Sequence, residues 1–368
     1  MSRAMPTHFQ QPLPDAYDNL SKEEIAARTA SAKQALGDRL LILGHHYQRD
    51  DIIRFADLVG DSFKLAKLAS EKKEAEYIVF CGVHFMAESA DILSRPHQVV
   101  ILPNLAAGCS MADMAVIEDV EACWRALQEN VGDSVVPITY INSDAELKAF
   151  VGRSGGTVCT SSNAPAALRW AWGQKPRVLF FPDEHLGRNC SLRMGVGEDE
   201  MIVWDPLEPL GGNSHESVGR ARIILWKGYC SVHMRFTTQQ IEQARKRYPE
   251  VFVIVHPECR REVVDMADAF GSTEQIAKTV REAPSGSVIA VGTEINLVHR
   301  LAAQHPDKKI FCLNEMVCLC STMYRIHPRY LAWVLDNLVE DRVVNRVQVP
   351  PAAAKWARVA LDRMLSLV

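Results

Sequence analysis

No stretch of this 368-residue chain is rich in lysine or arginine, and its formal charge is only −4. A surface for nucleic acid or anionic membrane needs clustered positive charge, so neither partner is expected. No apolar run approaches the length of a membrane span, and the opening MSRAMPTHFQQPLPDAY has no apolar core of the kind a secretory signal carries. The expected compartment is the cytoplasm, where a disulfide framework is not expected. Paired CxxC motifs are also missing, which argues against a structural zinc ribbon.

Cysteine itself is plentiful, at positions 81, 109, 123, 159, 190, 230, 259, 312, 318 and 320. In a reducing compartment each is either a small buried residue or a ligand or nucleophile. Cys109 sits where the β-type run of VVILPNLAAGCSMAD ends in a small-residue turn before a helix, and Cys230 in LWKGYCSVH and Cys320 in CLCSTM have comparable settings. Three thiolates from distant parts of the chain, brought together, make a soft-metal site with an open position. The alternative is three buried structural cysteines, and Cys312 and Cys318 are rivals for the third place.

An apolar fraction of 48% with 23% charged residues fits a globular chain with a substantial core, long enough for two or three domains. Ser21 and Glu24 have capping-box spacing and start a helix expected to run to about Leu36. Nine β-type runs follow: Leu40–Leu43, Tyr77–Cys81, Val99–Leu102, Val135–Tyr140, Thr157–Thr160, Val178–Phe181, Ile223–Trp226, Val251–Val255 and Val288–Val291. Between them, Ile52, Phe55, Ala56, Val59, Phe63 and Ala66 share one helical face, as do Ile241, Ala244 and Tyr248. Grouped in threes, the runs predict an α/β protein of three βαβαβ units, each a three-layer αβα domain. The expected divisions are an arm and helix over 1–37, domains over 38–122, 123–215 and 216–320, and C-terminal helices over 321–368, opening at Pro328 and at Pro350-Pro351. Ligands of open parallel sheets bind beyond the carboxyl ends of the strands. Those ends are polar here, among them Gly44-His45-His46-Tyr47-Gln48, Pro182-Asp183-Glu184-His185, His256-Pro257-Glu258-Cys259 and Gly292-Thr293-Glu294, so the domains are expected to share one site at a common edge.

The strings LGHHYQRDDIIRFADLVGDS, IVFCGVHFMAESADIL, LPNLAAGCSMAD, TYINSDAELKA, TSSNA, FPDEHLGRN, LWKGYCSVH, HPEC, GST, GTEINLV and the terminal CxxM of Cys320–Met323 occur in that order between about residues 38 and 340. Together they resemble the quinolinate synthase (NadA) family. The resemblance implies a pseudo-threefold fold of three α/β domains around a [4Fe–4S] cluster. It also implies condensation of iminoaspartate with dihydroxyacetone phosphate to quinolinate, phosphate and water, on the path to NAD. The implied cluster ligands are Cys109, Cys230 and Cys320, the last favoured over Cys318 because Met323 follows at the family spacing. His45 matches the substrate histidine, with Tyr47 beside it, and His46 falls at a variable position. Ser62, Ser161 and Thr273 match anion-holding hydroxyls at helix starts, where each would otherwise read as an N-cap. Tyr140 and Asn142 match contacts to the keto and carboxylate oxygens, and Tyr140 assists proton transfer if a neighbour lowers its pKa. His233, His256 and Glu258 complete the set, with Glu258 the expected general base or acid and the histidines as helpers.

Three rival readings use the same residues: another iron–sulfur hydro-lyase acting on a small hydroxy-acid, an iron–sulfur sensor, and a zinc hydrolase. A sensor needs a basic patch or a DNA-reading helix, and the sequence offers neither. Zinc and iron–sulfur proteins are told apart by colour. The sequence leaves open the oligomeric state and whether iminoaspartate arrives free or from a bound aspartate-oxidising enzyme.

Overall fold

The computed structural model describes residues 10–71, 74–314 and 319–367. They form two compact units, one holding the chain up to Cys109 with Leu319–Pro350, the other the chain from Ser110 with the segment from Pro351. In the first unit, β1 (Leu40–His45), β2 (Leu58–Gly60), β3 (Tyr77–Cys81) and β4 (Val99–Ile101) are parallel in the order β4-β3-β1-β2. The second unit holds two sheets. One contains β5 (Val135–Tyr140), β6 (Thr157–Cys159), β7 (Arg177–Phe181), β8 (Met201–Trp204) and β9 (Ile223–Trp226), in the order β6-β5-β7-β9-β8. The other contains β10 (Phe252–Val255), β11 (Ala269–Phe270), β12 (Val288–Gly292) and β13 (Lys309–Cys312), in the order β11-β10-β12-β13. Both are wholly parallel. β14 (Arg346–Val347) adds an antiparallel edge beside β4 in the first unit. Every residue of β1, β3 and β5 is buried, as strands covered by helices on both faces must be.

The three sheets share one winding. From the first strand of each, the second lies on one side and the third and fourth on the other; β8 is an addition at an edge. The chain is therefore α/β as expected, but its repeat has four strands rather than three.

Two differences from the sequence reading follow. The apparent helical face from Ile52 to Ala66 is broken: a short helix, Asp50–Ile53, gives way to β2, and a second helix, Ser62–Glu71, follows. Asp57 draws the chain into the sheet, its N–H donating to the Ile42 carbonyl at 2.8 Å while its carboxylate accepts from Ile42 N at 2.8 Å. Asp268 does the same ahead of β11, with Val253 N donating to its carboxylate at 2.7 Å and its own N–H reaching Val253 O at 2.9 Å. Second, Ile223–Trp226, grouped by pattern with the third domain, is β9 and pairs with β7, Val178 opposite Ile223. Local pattern identifies a strand but not its neighbour, which is fixed by the helix that crosses over.

The capping box at Ser21 is present, Glu24 N donating to the serine hydroxyl at 3.2 Å and Ser21 N to the glutamate at 2.8 Å. The two C-terminal helices divide between the units. Pro328–Val339 packs on Lys22–Leu36 in the first, and Pro351–Ser366 packs on Ala145–Arg153 in the second.

Candidate functional site

Of the nine cysteines in the described residues, Cys109, Cys230 and Cys320 are half-buried and the other six are buried. Burial pushes the Cys81 and Cys190 thiols up to about 12, so these are poor ligands. The three half-buried cysteines also share one local form. Each is followed three residues later by a 3₁₀ turn, at Ala112–Met114, His233–Arg235 and Met323–Arg325, and eight residues later by an α-helix, at Ile117, Thr238 and Pro328. Each is a Cys-Ser pair. Cys320 fits this frame; Cys318, its rival, lies outside the described residues, and Cys312 is buried at the end of β13.

Hydrogen bonds tie these turns together inside each unit. In the first, Asn104 Nδ2 donates to Arg325 O at 3.1 Å and the Arg325 guanidinium to Ala106 O at 2.8 Å, joining the approach to Cys109 to the turn after Cys320. In the second, Trp226 Nε1 donates to Met114 O at 2.8 Å, joining the turn after Cys109 to the strand before Cys230. Asn314 Nδ2 reaches Arg235 O at 3.2 Å, joining the end of β13 to the turn after Cys230. Gly228 lies against Pro182, where a side chain would collide with the Pro182 carbonyl, and Glu184 N donates to Gly228 O at 2.9 Å.

The densest chemistry is in the second unit. Glu258 is 3% exposed, His256 3%, His233 1% and Tyr140 5%. His233 Nδ1 lies 2.7 Å from Glu258 Oε2, and Tyr140 is also hydrogen-bonded to that carboxylate. Burial alone would raise Glu258, but the His256 and His233 rings and the hydrogen bonds from His233 and Tyr140 outweigh it and hold the carboxyl at about 2. An ionised carboxylate only accepts, so His233 Nδ1 donates to it, while its Nε2 lies 3.2 Å from the Thr293 hydroxyl. His256 stacks on His233 with centroids 4.4 Å apart and planes 11° from parallel. Burial lowers His256 to about 3, so it is neutral near pH 7, and its Nδ1 accepts from Glu258 N at 3.4 Å. Cys230 Sγ, a His233 ring nitrogen and a Glu258 oxygen lie within 4.8 Å of one another.

The remaining residues named from sequence are placed as follows. Asn142 is half-buried in the turn after β5. That turn is held by Ser143, whose hydroxyl donates to Tyr140 O at 2.9 Å and whose carbonyl accepts from the fully buried Lys148. Ser161 is half-buried in the turn before the helix Ala164–Gln174. Thr273 opens the helix Thr273–Glu282, but the cap is Ser272, which accepts from Gln275 N at 3.3 Å. Ser62 likewise opens its helix while Asp61 caps it, accepting from Lys64 N at 2.9 Å. Neither hydroxyl is the cap that a blind reading assigns it. In the first unit His45 is buried at the end of β1, accepts from Tyr47 N at 3.1 Å and meets the Tyr47 ring edge-on at 4.9 Å. Gln48 Nε2 donates to Met323 O at 3.1 Å, tying this loop to the turn after Cys320.

Thr293, Asp183 and Asn189 are functional candidates that the sequence reading leaves without a role, although the first two lie in strand ends it flags. A further signal is an internal repeat: Ala56-Asp57-Leu58-Val59-Gly60-Asp61-Ser62 against Ala267-Asp268-Ala269-Phe270-Gly271-Ser272-Thr273. It aligns Ser62 with Thr273 directly.

Among the described residues no helix is long and apolar enough to cross a membrane. The family model described as quinolinate synthetase A protein matches residues 27–366. Proteins named quinolinate synthase are similar along nearly their whole length. The one from Corynebacterium glutamicum is 57% identical over 99% of this chain and 93% of its own. That from a Nocardioides species is 56% identical over 94% and 90%, and that from Acidobacterium capsulatum 54% over 96% and 95%. A solved aspartate transcarbamoylase from Trypanosoma cruzi covers 93% of each chain at 12% identity, but with a TM-score of 0.16 it carries no weight. With a family match over almost all its length and relatives of this identity, the chain belongs to the quinolinate synthetase A family.

Proposed function

We propose that this chain condenses iminoaspartate with dihydroxyacetone phosphate to quinolinate, phosphate and water, and that Cys109, Cys230 and Cys320 hold a [4Fe–4S] cluster. The donor set suits such a group: three half-buried thiols in matching turns, where the other six thiols among the described residues are buried. When bound, the cluster supplies an iron with an open position, a Lewis acid toward a substrate oxygen.

The observation that carries the reading is the buried Glu258 carboxylate, with hydrogen bonds from Tyr140 and His233, beside the Cys230 turn. Ring formation requires protons to leave carbon and return to oxygen. Glu258 takes a proton from a substrate carbon, and the hydroxyl of Tyr140 and Nδ1 of His233 stabilise the charge it carries beforehand. His233 passes protons between Glu258 and the Thr293 hydroxyl, because its two nitrogens bond to one each. His256, neutral and stacked on His233, keeps that ring in plane. Ser62, Ser161 and Thr273 offer hydroxyls at or just before helix starts, where the helix dipole favours negative charge, to the anionic ends of the substrates. His45, Tyr47 and Asn142 orient the keto and carboxylate oxygens.

The test is quinolinate formation by anaerobically purified protein given fresh iminoaspartate and dihydroxyacetone phosphate, with a Cys230→Ala variant as control. Quinolinate from the wild type and none from the variant is expected. Iron-replete protein that makes none refutes the substrates.

A further inference from the structure

Glu258 lies in a turn without regular structure after β10, and the groups that hold that turn decide where its carboxylate stands. Some holds are internal to the third sheet: His256 N donates to Gly292 O at 3.0 Å, and Cys259 N to His256 O at 3.0 Å. The others come from the second sheet. The helix Glu184–Arg193 follows β7 and is started by Asp183, whose carboxyl accepts from Leu186 N at 2.6 Å. Gly187 lets this helix sit close on Phe180 and Leu225 of the strands beneath it. So seated, the helix presents Asn189, 3% exposed, to the turn. Asn189 Nδ2 donates to Pro257 O at 2.8 Å and to Cys259 O at 2.9 Å. These are the carbonyls of the residues on either side of Glu258. A carboxamide nitrogen has two hydrogens in one plane, and both are engaged, so the amide fixes the turn in direction as well as distance. Asparagine is a weak helix former, and here its side chain bonds to another segment rather than to its own helix.

We propose that Asn189 is a positioning residue for the reaction, holding the Glu258 carboxylate in place from the second sheet through the carbonyls of Pro257 and Cys259. The inference rests on the reading of Glu258 as the group that moves protons. Without the amide, the carbonyls of Pro257 and Cys259 lose this donor and the turn relaxes. A carboxylate displaced by a fraction of an ångström still lets substrate bind but meets the transition state badly. The loss therefore falls on kcat rather than on KM.

The experiment is a double-mutant cycle in the full-length, cluster-replete protein: Asn189→Ala made in the wild type and in Glu258→Asp, whose shorter arm already misplaces the carboxylate. In the wild type, Asn189→Ala is expected to lower kcat about 30-fold with KM changed by less than about threefold. In the Glu258→Asp background it is expected to lower kcat by less than about threefold, because the two changes act on one group. An equal factor in both backgrounds overturns the proposal and makes Asn189 a packing residue only. Asn189→Asp keeps the volume and sets a carboxylate against two carbonyls; it should reproduce the kcat loss, and full activity in it likewise overturns the proposal. A Glu258→Asp enzyme as fast as the wild type would instead sink the role given to Glu258, and the inference with it.

Discussion

Asp183, at the end of β7, and Glu258, at the end of β10, are both buried carboxyls in the same unit, at 0% and 3% exposure, yet their surroundings push their pKa values in opposite directions. Glu258 has donors from His233 and Tyr140 and is kept ionised. Asp183 has the Leu186 N–H on Oδ1, while Oδ2 is buried with no hydrogen-bond partner. Burial pushes Asp183 well above the usual carboxylate range, and the negative charge of Glu258 adds to that. Depth is equal, so the partners decide the charge. A pair of carboxyls driven apart in this way is how one site keeps a base and a neutral acid at the same pH.

The largest test of this contrast is catalytic. Glu258→Gln removes the charge that His233 and Tyr140 serve and should lower kcat by about 10³-fold. Asp183→Asn, which copies a protonated carboxyl, should stay within about tenfold of the wild type at the same iron content. Rates at saturating substrate check both, and the reverse ranking would invert the assignment of base and neutral acid.

Stability against pH separates the two carboxyls next, with opposite signs. Glu258 is lowered from 4.5 to about 2, so its contribution is present above the ordinary carboxylate range and is lost as pH falls toward 2. Asp183 is raised, so the unfolded chain releases this proton first, and native stability declines as pH rises above the ordinary value of 3.8. Melting temperatures between about pH 2 and 8 should show Glu258→Gln flattening the acid limb. Asp183→Asn should gain on the wild type as pH rises. Parallel curves for the two variants would erase the distinction.

The sequence exposes Glu258 and hides Asp183 for a physical reason. His256-Pro257-Glu258 is visible in three letters as a polar pair at a strand end, although the two groups stand in a turn rather than on one side of an extended segment. The raised pKa of Asp183 depends on what fails to reach Oδ2, and that is set by packing from residues far away in the chain. The same divide runs through the fold. Nine strands are legible from apolar runs, whereas β8 and β13 are not, and β2 and β11, three and two residues long, are made by the bonds of Asp57 and Asp268 to neighbouring strands. The Cys-Ser pairs are readable in the sequence. That each opens the same turn and helix is a matter of backbone geometry.

Thr293 sharpens the account of Glu258 at a smaller scale. Its hydroxyl is the second partner of His233, and it is fully buried. Thr293→Val keeps the shape and removes the hydroxyl beside Nε2. A loss of about tenfold in kcat is expected, with the melting temperature lowered by a few degrees. A variant with unchanged kcat would confine the working proton path to Glu258 and Tyr140.

The smallest effect divides the two oxygens of Asp183 from each other. Oδ1 caps the helix Glu184–Arg193, and Oδ2 is the buried atom with no hydrogen-bond partner. Asp183→Ala removes both and should cost about 1 kcal/mol for the lost cap, together with the packing of the missing atoms. Asp183→Ser restores an oxygen for Leu186 N and omits the second one. Serine and alanine differ only in that oxygen, so the serine variant should be more stable than the alanine variant by about 1 kcal/mol at every pH. The wild type differs from both in a carboxyl whose raised pKa costs stability as pH rises, so the serine variant should gain on the wild type between about pH 4 and pH 8. Unfolding free energies of the three proteins near those two values check both: no serine advantage over alanine would take the capping role from Oδ1, and a serine variant that falls further behind the wild type at pH 8 would mean that burial does not raise the carboxyl.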